Sequence, residues 1–281
     1  MQPIISADEL LEALQTGNIL LVDATSGPAG RAAYQREHIS GAVYVDLEHD
    51  LSKIGDPAKG GRHPLPEPAR FSGLLSGIGL TEERRVVVYD RASGTNAAAR
   101  FWWMMRAAGH RAVQVLDGGF GTAKAKGLPM AAGIEGEHKG SGYSFGVWQL
   151  PTVDIEDVTS YTKRPEETLI IDVREEARYA GQREPIDLVA GHIPTAVNIP
   201  LANNLQEDGL FKSPDELRKL YGPFFDQKQS SAIAVHCGSG VSACHTLLAL
   251  DYAGFDIPAL YVGSWSEWSR NDKPIGTGNR G

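Results

Sequence analysis

Cysteine is scarce: the 281 residues contain only Cys237 and Cys244. Two thiols on one short stretch make no disulfide framework, so a reducing compartment, the cytoplasm, is the expected location. No apolar run reaches the roughly 20 residues needed to cross a bilayer. The opening Met1-Gln2-Pro3-Ile4-Ile5-Ser6 lacks a basic segment followed by an apolar core, so no signal peptide is expected. An excess of basic charge is missing as well. The net charge is -8, spread along the chain, which argues against nucleic acid and anionic membranes as partners. No Cys/His cluster has metal-ligand spacing, and no metal or other cofactor is expected.

What is present is 42% hydrophobic and 22% charged residues, enough for two ordinary domains. Residues 19–23, 85–90 and 112–116 read as buried strands. Residues 6–14 read as a helix opened by a Ser6/Glu9 capping box, with further helical pieces at 34–38, 71–78 and 97–108. Residues 46–66 form a long loop ending in Arg62-His63-Pro64-Leu65-Pro66. The same order then recurs. Residues 168–172 match 18–23, 190–198 match 37–44, 215–221 match the helix at 71, 232–237 match 85–90, and 262–265 match 117–120. Alternating strands and helices imply an α/β fold: two tandem domains, each a mainly parallel sheet with helices on both faces. The expected bounds are 1–133 and 151–281, joined by a Gly- and charge-rich linker at 134–150.

The chemistry is concentrated after the strand at 232–236. Cys237-Gly238-Ser239-Gly240-Val241-Ser242-Ala243 opens a tight loop that runs into a helical pattern. Glycines let the backbone curl around the sulfur, and inward N–H groups with a helix N-terminus favour an anion there. That is a setting for a nucleophilic thiolate. Cys244 lies two turns into the helix and is expected in the core. A cysteinyl-phosphate chemistry would want an arginine six residues after the thiol; Ala243 stands there and the loop carries no Lys or Arg. The repeat places Asp90 where the second copy has Cys237, so the first copy has no thiolate to use.

This loop, with His236 before it and Gly263-Ser264-Trp265-Ser266-Glu267-Trp268 after the next strand, resembles the active-site region of the rhodanese superfamily. It is most similar to the 3-mercaptopyruvate sulfurtransferase branch, whose loop reads C-G-S/T-G-V-T, and differs from the C-R-K-G-V-T of thiosulfate-preferring members. The resemblance implies two rhodanese-like domains, the first inactive. It also implies transfer of a sulfane sulfur through a Cys237 persulfide to a thiol or cyanide. The loop residues Gly238, Gly240, Val241 and Ser242 would stabilise charge, and Ser239 would relay a proton. Arg178, before Tyr179, falls where the family binds the donor. The family's second arginine, in a Glu-Pro-Arg segment, is absent, because the chain reads Glu184-Pro185-Ile186; Arg183 is the candidate substitute. His63 matches a His-x-Leu-Pro segment and would approach from the first domain, oriented by Glu48 or Asp50. The expected donor is 3-mercaptopyruvate, then thiosulfate. The alternative is a persulfide carrier or regulatory module acting on a protein partner. His236 should point away from Cys237 along the strand, His38 and His192 should be structural, and the tryptophans should be core.

Overall fold

The two halves of the sequence fold into two five-stranded sheets with the same strand order. A computed structural model describes residues 1–15, 17–136, 140–226 and 228–278. Residues 137–139 of the expected linker and 279–281 of the expected second domain lie outside the described residues.

The first unit has strands β1 (Ile4–Ile5), β2 (Ile19–Asp23), β3 (His38–Ile39), β4 (Ala42–Tyr44), β5 (Arg85–Tyr89), β6 (Val113–Leu116) and β7 (Met130–Ala131). Its helices are α1 (Ala7–Leu14), α2 (Gly30–Arg36), α3 (Pro68–Gly77), α4 (Ala97–Ala107) and α5 (Gly119–Ala125). The sheet order is β1-β6-β5-β2-β4, all parallel, while β3 pairs antiparallel with β7. The second unit has β8 (Thr152–Val153), β9 (Leu169–Asp172), β10 (Val197–Asn198), β11 (Ile233–His236) and β12 (Ala259–Tyr261). Its helices are α6 (Ile155–Tyr161), α7 (Glu176–Tyr179), α8 (Pro214–Phe225), α9 (Ala243–Ala253) and α10 (Ser264–Trp268). The parallel order β8-β12-β11-β9-β10 repeats that of the first sheet. Register confirms the match: Asp23 stands opposite Tyr89, Asp172 opposite His236, and the next residues are Asp90 and Cys237.

The central strands are near-continuous apolar runs because helices cover both faces of a parallel sheet. The helices after the two matching loops, α4 and α9, are buried almost all round, and Trp102 and Trp103 of α4 are fully buried. Capping boxes start α1, α6 and α8: Ser6 with Glu9, Asp154 with Asp157, Ser213 with Glu216. Helices α3 and α8 begin earlier than the apolar pattern suggests. Pro68 and Pro214 sit in their first turns, where a missing N–H costs nothing. Among the described residues, no helix is long and apolar enough to cross a membrane.

Compact units do not follow a single cut in the chain. Residues 1–53, 66–149 and 207–211 form one, and residues 54–65, 150–206 and 212–281 the other. Residues 140–149 therefore pack with the first unit, where Gly142 and Phe145 donate N–H bonds to Ser76 and Ser72. The strap at 54–65 packs with the second. There Gly60 N–H donates to Glu267 Oε1 at 2.7 Å, Arg62 N–H to Ser266 Oγ at 3.1 Å, and Asn271 Nδ2 to the Ala58 carbonyl at 2.9 Å. Gly61 makes this seating possible. Its φ is +81°, and a Cβ there would lie 2.3 Å from the Gly263 carbonyl oxygen.

Gly61→Ala should destabilise the protein by about 1–3 kcal/mol through left-handed strain, with the backbone clash added. Urea titration should show the midpoint falling at nearly constant slope. An unchanged midpoint would mean that the strap re-seats freely.

Candidate active site

Cys237 follows β11 at the carboxyl end of the parallel sheet, where open α/β sheets place their ligands. Its residue is 2% exposed. Four backbone-level bonds fix the turn. The Cys237 N–H donates to Ser264 Oγ at 3.2 Å, and Ser264 Oγ donates to the Tyr261 carbonyl at 2.9 Å. Trp265 N–H donates to the Cys237 carbonyl at 3.1 Å and Ser266 N–H to the Gly238 carbonyl at 2.9 Å. Ser264 holds this position at φ +54°, a conformation that costs a non-glycine residue energy and is found at functional turns. Gly240, φ +71°, presses against β12's exit, where a Cβ would meet the Val262 carbonyl oxygen at 2.4 Å.

The loop points polar hydrogens at the sulfur side. Ser239 N–H lies 3.5 Å from Cys237 Sγ. Among the described residues the N–H groups of Val241 and Ser242 have no acceptor. The first unit shows the matching loop wrapped around a carboxyl group, whose titration burial still pushes above the ordinary carboxylate range. There Asp90 puts its carboxylate among the N–H groups of Ala92, Gly94, Asn96 and Ala98, at 2.9, 2.8, 3.3 and 3.1 Å.

Ser239 Oγ lies 2.8 Å from His63 Nδ1, and both residues are buried. The strap therefore carries His63 into the same compact unit as Cys237. Asp50 accepts the Asp46 N–H at 2.7 Å. Arg178 lies close to the loop: its Nη2 is 3.4 Å from where a Gly238 Cβ would stand. It holds Glu184 through Nε and Nη2 at 3.0 and 2.7 Å. Arg183 is not brought in. It is 59% exposed and pairs with Glu175 on the surface. Ile186 is exposed and apolar.

Sequence reasoning missed three residues. Arg62 has its Nη2 3.1 Å from the same Gly238 Cβ position. Arg62, Arg178 and Arg270 all reach the buried carboxylate of Asp187, with closest approaches of 3.1, 3.5 and 3.0 Å. The loop carries no cation of its own, yet guanidiniums border it. For Arg62, adjacency to His63 was a usable signal; for Asp187 and Arg270 the sequence holds none.

Below the loop, Arg174 pairs with Asp172 at 2.6 Å and lies 4.6 Å from the Trp265 ring. Burial alone pushes the Asp172 carboxyl up, but the charge and hydrogen bonds of Arg174 outweigh it and hold the group below the ordinary carboxylate range. Burial pushes His236 down despite Asp172, which keeps it neutral; its Nδ1 faces the Cys237 carbonyl at 3.1 Å. His38 and His192 are structural, each bonded through Nδ1 to a tyrosine's carbonyl at 2.8 Å and stacked on that tyrosine's ring. Cys244 is fully buried and bonds the Gly240 carbonyl at 3.4 Å. Trp102, Trp103, Trp265 and Trp268 are core.

The rhodanese-like domain profile matches residues 6–126 and again 156–271. The chain belongs to the rhodanese superfamily, as a two-domain sulfurtransferase. It is 38% identical over 282 residues to a Pseudomonas aeruginosa protein named "Probable 3-mercaptopyruvate sulfurtransferase", covering 98% of each chain. It is 33% identical over 285 residues to the thiosulfate sulfurtransferase of Rattus norvegicus, covering 96% of this chain and 93% of that one. Among solved structures, the 3-mercaptopyruvate sulfotransferase SseA from Escherichia coli superposes with a TM-score of 0.78 at 30% identity, covering 94% of this chain and 99% of that one. Relatives thus carry both donor names.

Removing the Arg174 charge tests the ion pair beneath the site. Arg174→Ala leaves Asp172 buried and unpaired, and urea titration should show a loss of about 3–5 kcal/mol near neutral pH. Because the folded carboxyl of Asp172 is depressed, the pair's contribution is full above the unfolded value of about 3.9 and is lost as pH falls through the folded one. The gap between wild type and variant should therefore close in acid. A neutral-pH gap under about 1 kcal/mol would deny the pair its structural role.

Proposed function

We propose that Cys237 is the nucleophile of a sulfurtransferase whose preferred donor is 3-mercaptopyruvate, with thiosulfate second. In the first half-reaction the Cys237 thiolate attacks the donor's sulfur. The S–S bond forms, the donor's C–S bond breaks, and its electron pair leaves as the enolate of pyruvate, which then takes a proton. In the second, a thiol or cyanide attacks the outer sulfur of the persulfide, the S–S bond breaks, and the Cys237 thiolate is restored. The loop N–H groups from Gly238 to Ser242, Gly240 and Val241 included, stabilise negative charge on the sulfur.

One observation carries the choice of donor: Ser239 Oγ and His63 Nδ1 are 2.8 Å apart beside the thiol. A carbon leaving group needs a proton delivered, whereas sulfite leaving from thiosulfate does not. A hydroxyl backed by an imidazole is a proton source for the first case. Arg178 supports the same reading, since a guanidinium suits a carboxylate. Arg183, paired with exposed Glu175, takes no part. In this reading the first domain, about residues 1–133, serves structure, because Asp90 occupies the place of the thiol. Two free, buried cysteines and a thiol acceptor fit a reducing cytoplasm.

Sulfur transfer to cyanide should be measured with both donors in parallel. Wild type should prefer 3-mercaptopyruvate, and Cys237→Ser should abolish transfer from either. Ser239→Ala should cut the mercaptopyruvate rate by about a hundredfold and the thiosulfate rate by far less. Equal losses would remove the proton-delivery role. A thiosulfate preference would reverse the donor assignment, and no turnover with either would favour a carrier acting on a protein partner.

A further inference from the structure

We infer that Arg62 is a second anchor for the donor's carboxylate, acting with Arg178 beside the Cys237 loop. This deepens the sulfurtransferase reading and rests on it. Both guanidiniums border Gly238, the residue after the thiol: a Cβ there would stand 3.1 Å from Arg62 Nη2 and 3.4 Å from Arg178 Nη2. A Cβ at this position would sit tight against Arg62 and in ordinary contact with Arg178, so the bare glycine leaves both guanidiniums uncrowded.

Each guanidinium is fixed by a buried acid and keeps an amino group in hand. Arg62 spends Nε and Nη2 on Asp187 at 3.1 and 3.4 Å. Arg178 spends Nε and Nη2 on Glu184, with Nη2 also 3.5 Å from Asp187. In both, Nη1 has no acceptor among the described residues. Their side chains are 25% and 13% exposed, enough to meet a small solute. Two prefixed donors on different segments can take the two oxygens of one carboxylate with little reorganisation.

Charge balance favours an anion beside the loop. Four guanidiniums (Arg62, Arg174, Arg178 and Arg270) share three carboxylates, Asp172, Glu184 and Asp187. The cluster as a whole therefore carries one positive charge in excess, on the side where Arg62 and Arg178 border Gly238. Arg183 is tied to Glu175 at the surface, and Ile186 brings no charge. The placement of Arg62 is also built. The strap residue before it, Gly61, packs against the Gly263 carbonyl, and its own N–H donates to Ser266.

The test compares alkylation of Cys237 by iodoacetate and by iodoacetamide, followed on the Cys237 peptide by mass. In both reactions the thiolate forms an S–C bond and iodide leaves with the C–I electron pair; the reagents differ in charge. Arg62→Gln should lower the iodoacetate rate about tenfold relative to iodoacetamide, and raise KM for 3-mercaptopyruvate by a similar factor at nearly constant kcat. Arg62→Lys, which keeps the charge but loses the fork, should recover part of the selectivity. If Arg62→Gln fails to fold by circular dichroism, Arg62→Lys carries the test and must still lower selectivity by about threefold. An unchanged ratio overturns the inference. So does an equal fall with both reagents, which would make Arg62 a partner of the thiolate. Lost selectivity in a protein that turns over neither donor would sink the donor assignment but leave the anion site. Full mercaptopyruvate turnover with unchanged selectivity would do the reverse.

Discussion

The carboxylate of Asp187 is completely buried, and three guanidiniums converge on it. A carboxylate taken from water costs several kcal/mol unless it is paired and hydrogen-bonded. Arg62, Arg178 and Arg270 meet that demand from three separate segments: the strap, α7 and the residues after α10. The same demand turns the segment 184–189 inside out. Its acids Glu184 and Asp187 face inward, while Ile186, Leu188 and Val189 stay 55%, 67% and 43% exposed. Cations assembled for one buried acid thus end up beside a cysteine loop that contains none. An uncharged loop sequence and a cationic setting are compatible once the third dimension is included.

The two copies of the strand–loop–helix unit show the chemistry by contrast. In both, a buried parallel strand ends, a loop turns back its N–H groups, and a fully buried helix follows. In the first copy the loop's electrostatic preference is satisfied internally by Asp90, which four N–H groups hold. In the second the residue at that place is a thiol, and the Val241 and Ser242 N–H groups have no acceptor among the described residues. The same backbone closes on a carboxyl group in one copy and on a thiol in the other. One side chain makes the difference.

The strands, the helices, the internal repeat and the Cys237 turn were legible because each is a local pattern. Apolar runs mark buried strands, capping boxes mark helix starts, and a Gly-x-Gly after a strand marks a turn. Three helix starts lie earlier than the apolar pattern: α2 begins at Gly30 and gives way to a strand at His38, while Pro68 and Pro214 carry no apolar periodicity of their own. Ser239 and His63 were each singled out, but their 2.8 Å meeting spans 176 positions in sequence. The substitute arginine was sought at Arg183, three residues from the gap, whereas Arg62 reaches the cluster across 125 positions. Arg183 itself pairs with Glu175 at the surface.

By itself, then, the sequence determined two α/β domains, the strand–loop–helix turn that holds Cys237 and the family, since these depend on periodicity and contiguous motifs. Tertiary structure alone decided that the strap at 54–65 packs with the unit carrying Cys237. It likewise decided that His63 meets Ser239 and that Arg62 and Arg178 flank Gly238. The physical reason is that these contacts are set by the burial of Asp187 and Glu184 and by the close packing of Gly61 on Gly263. Such constraints join distant segments and leave no periodic trace along the chain.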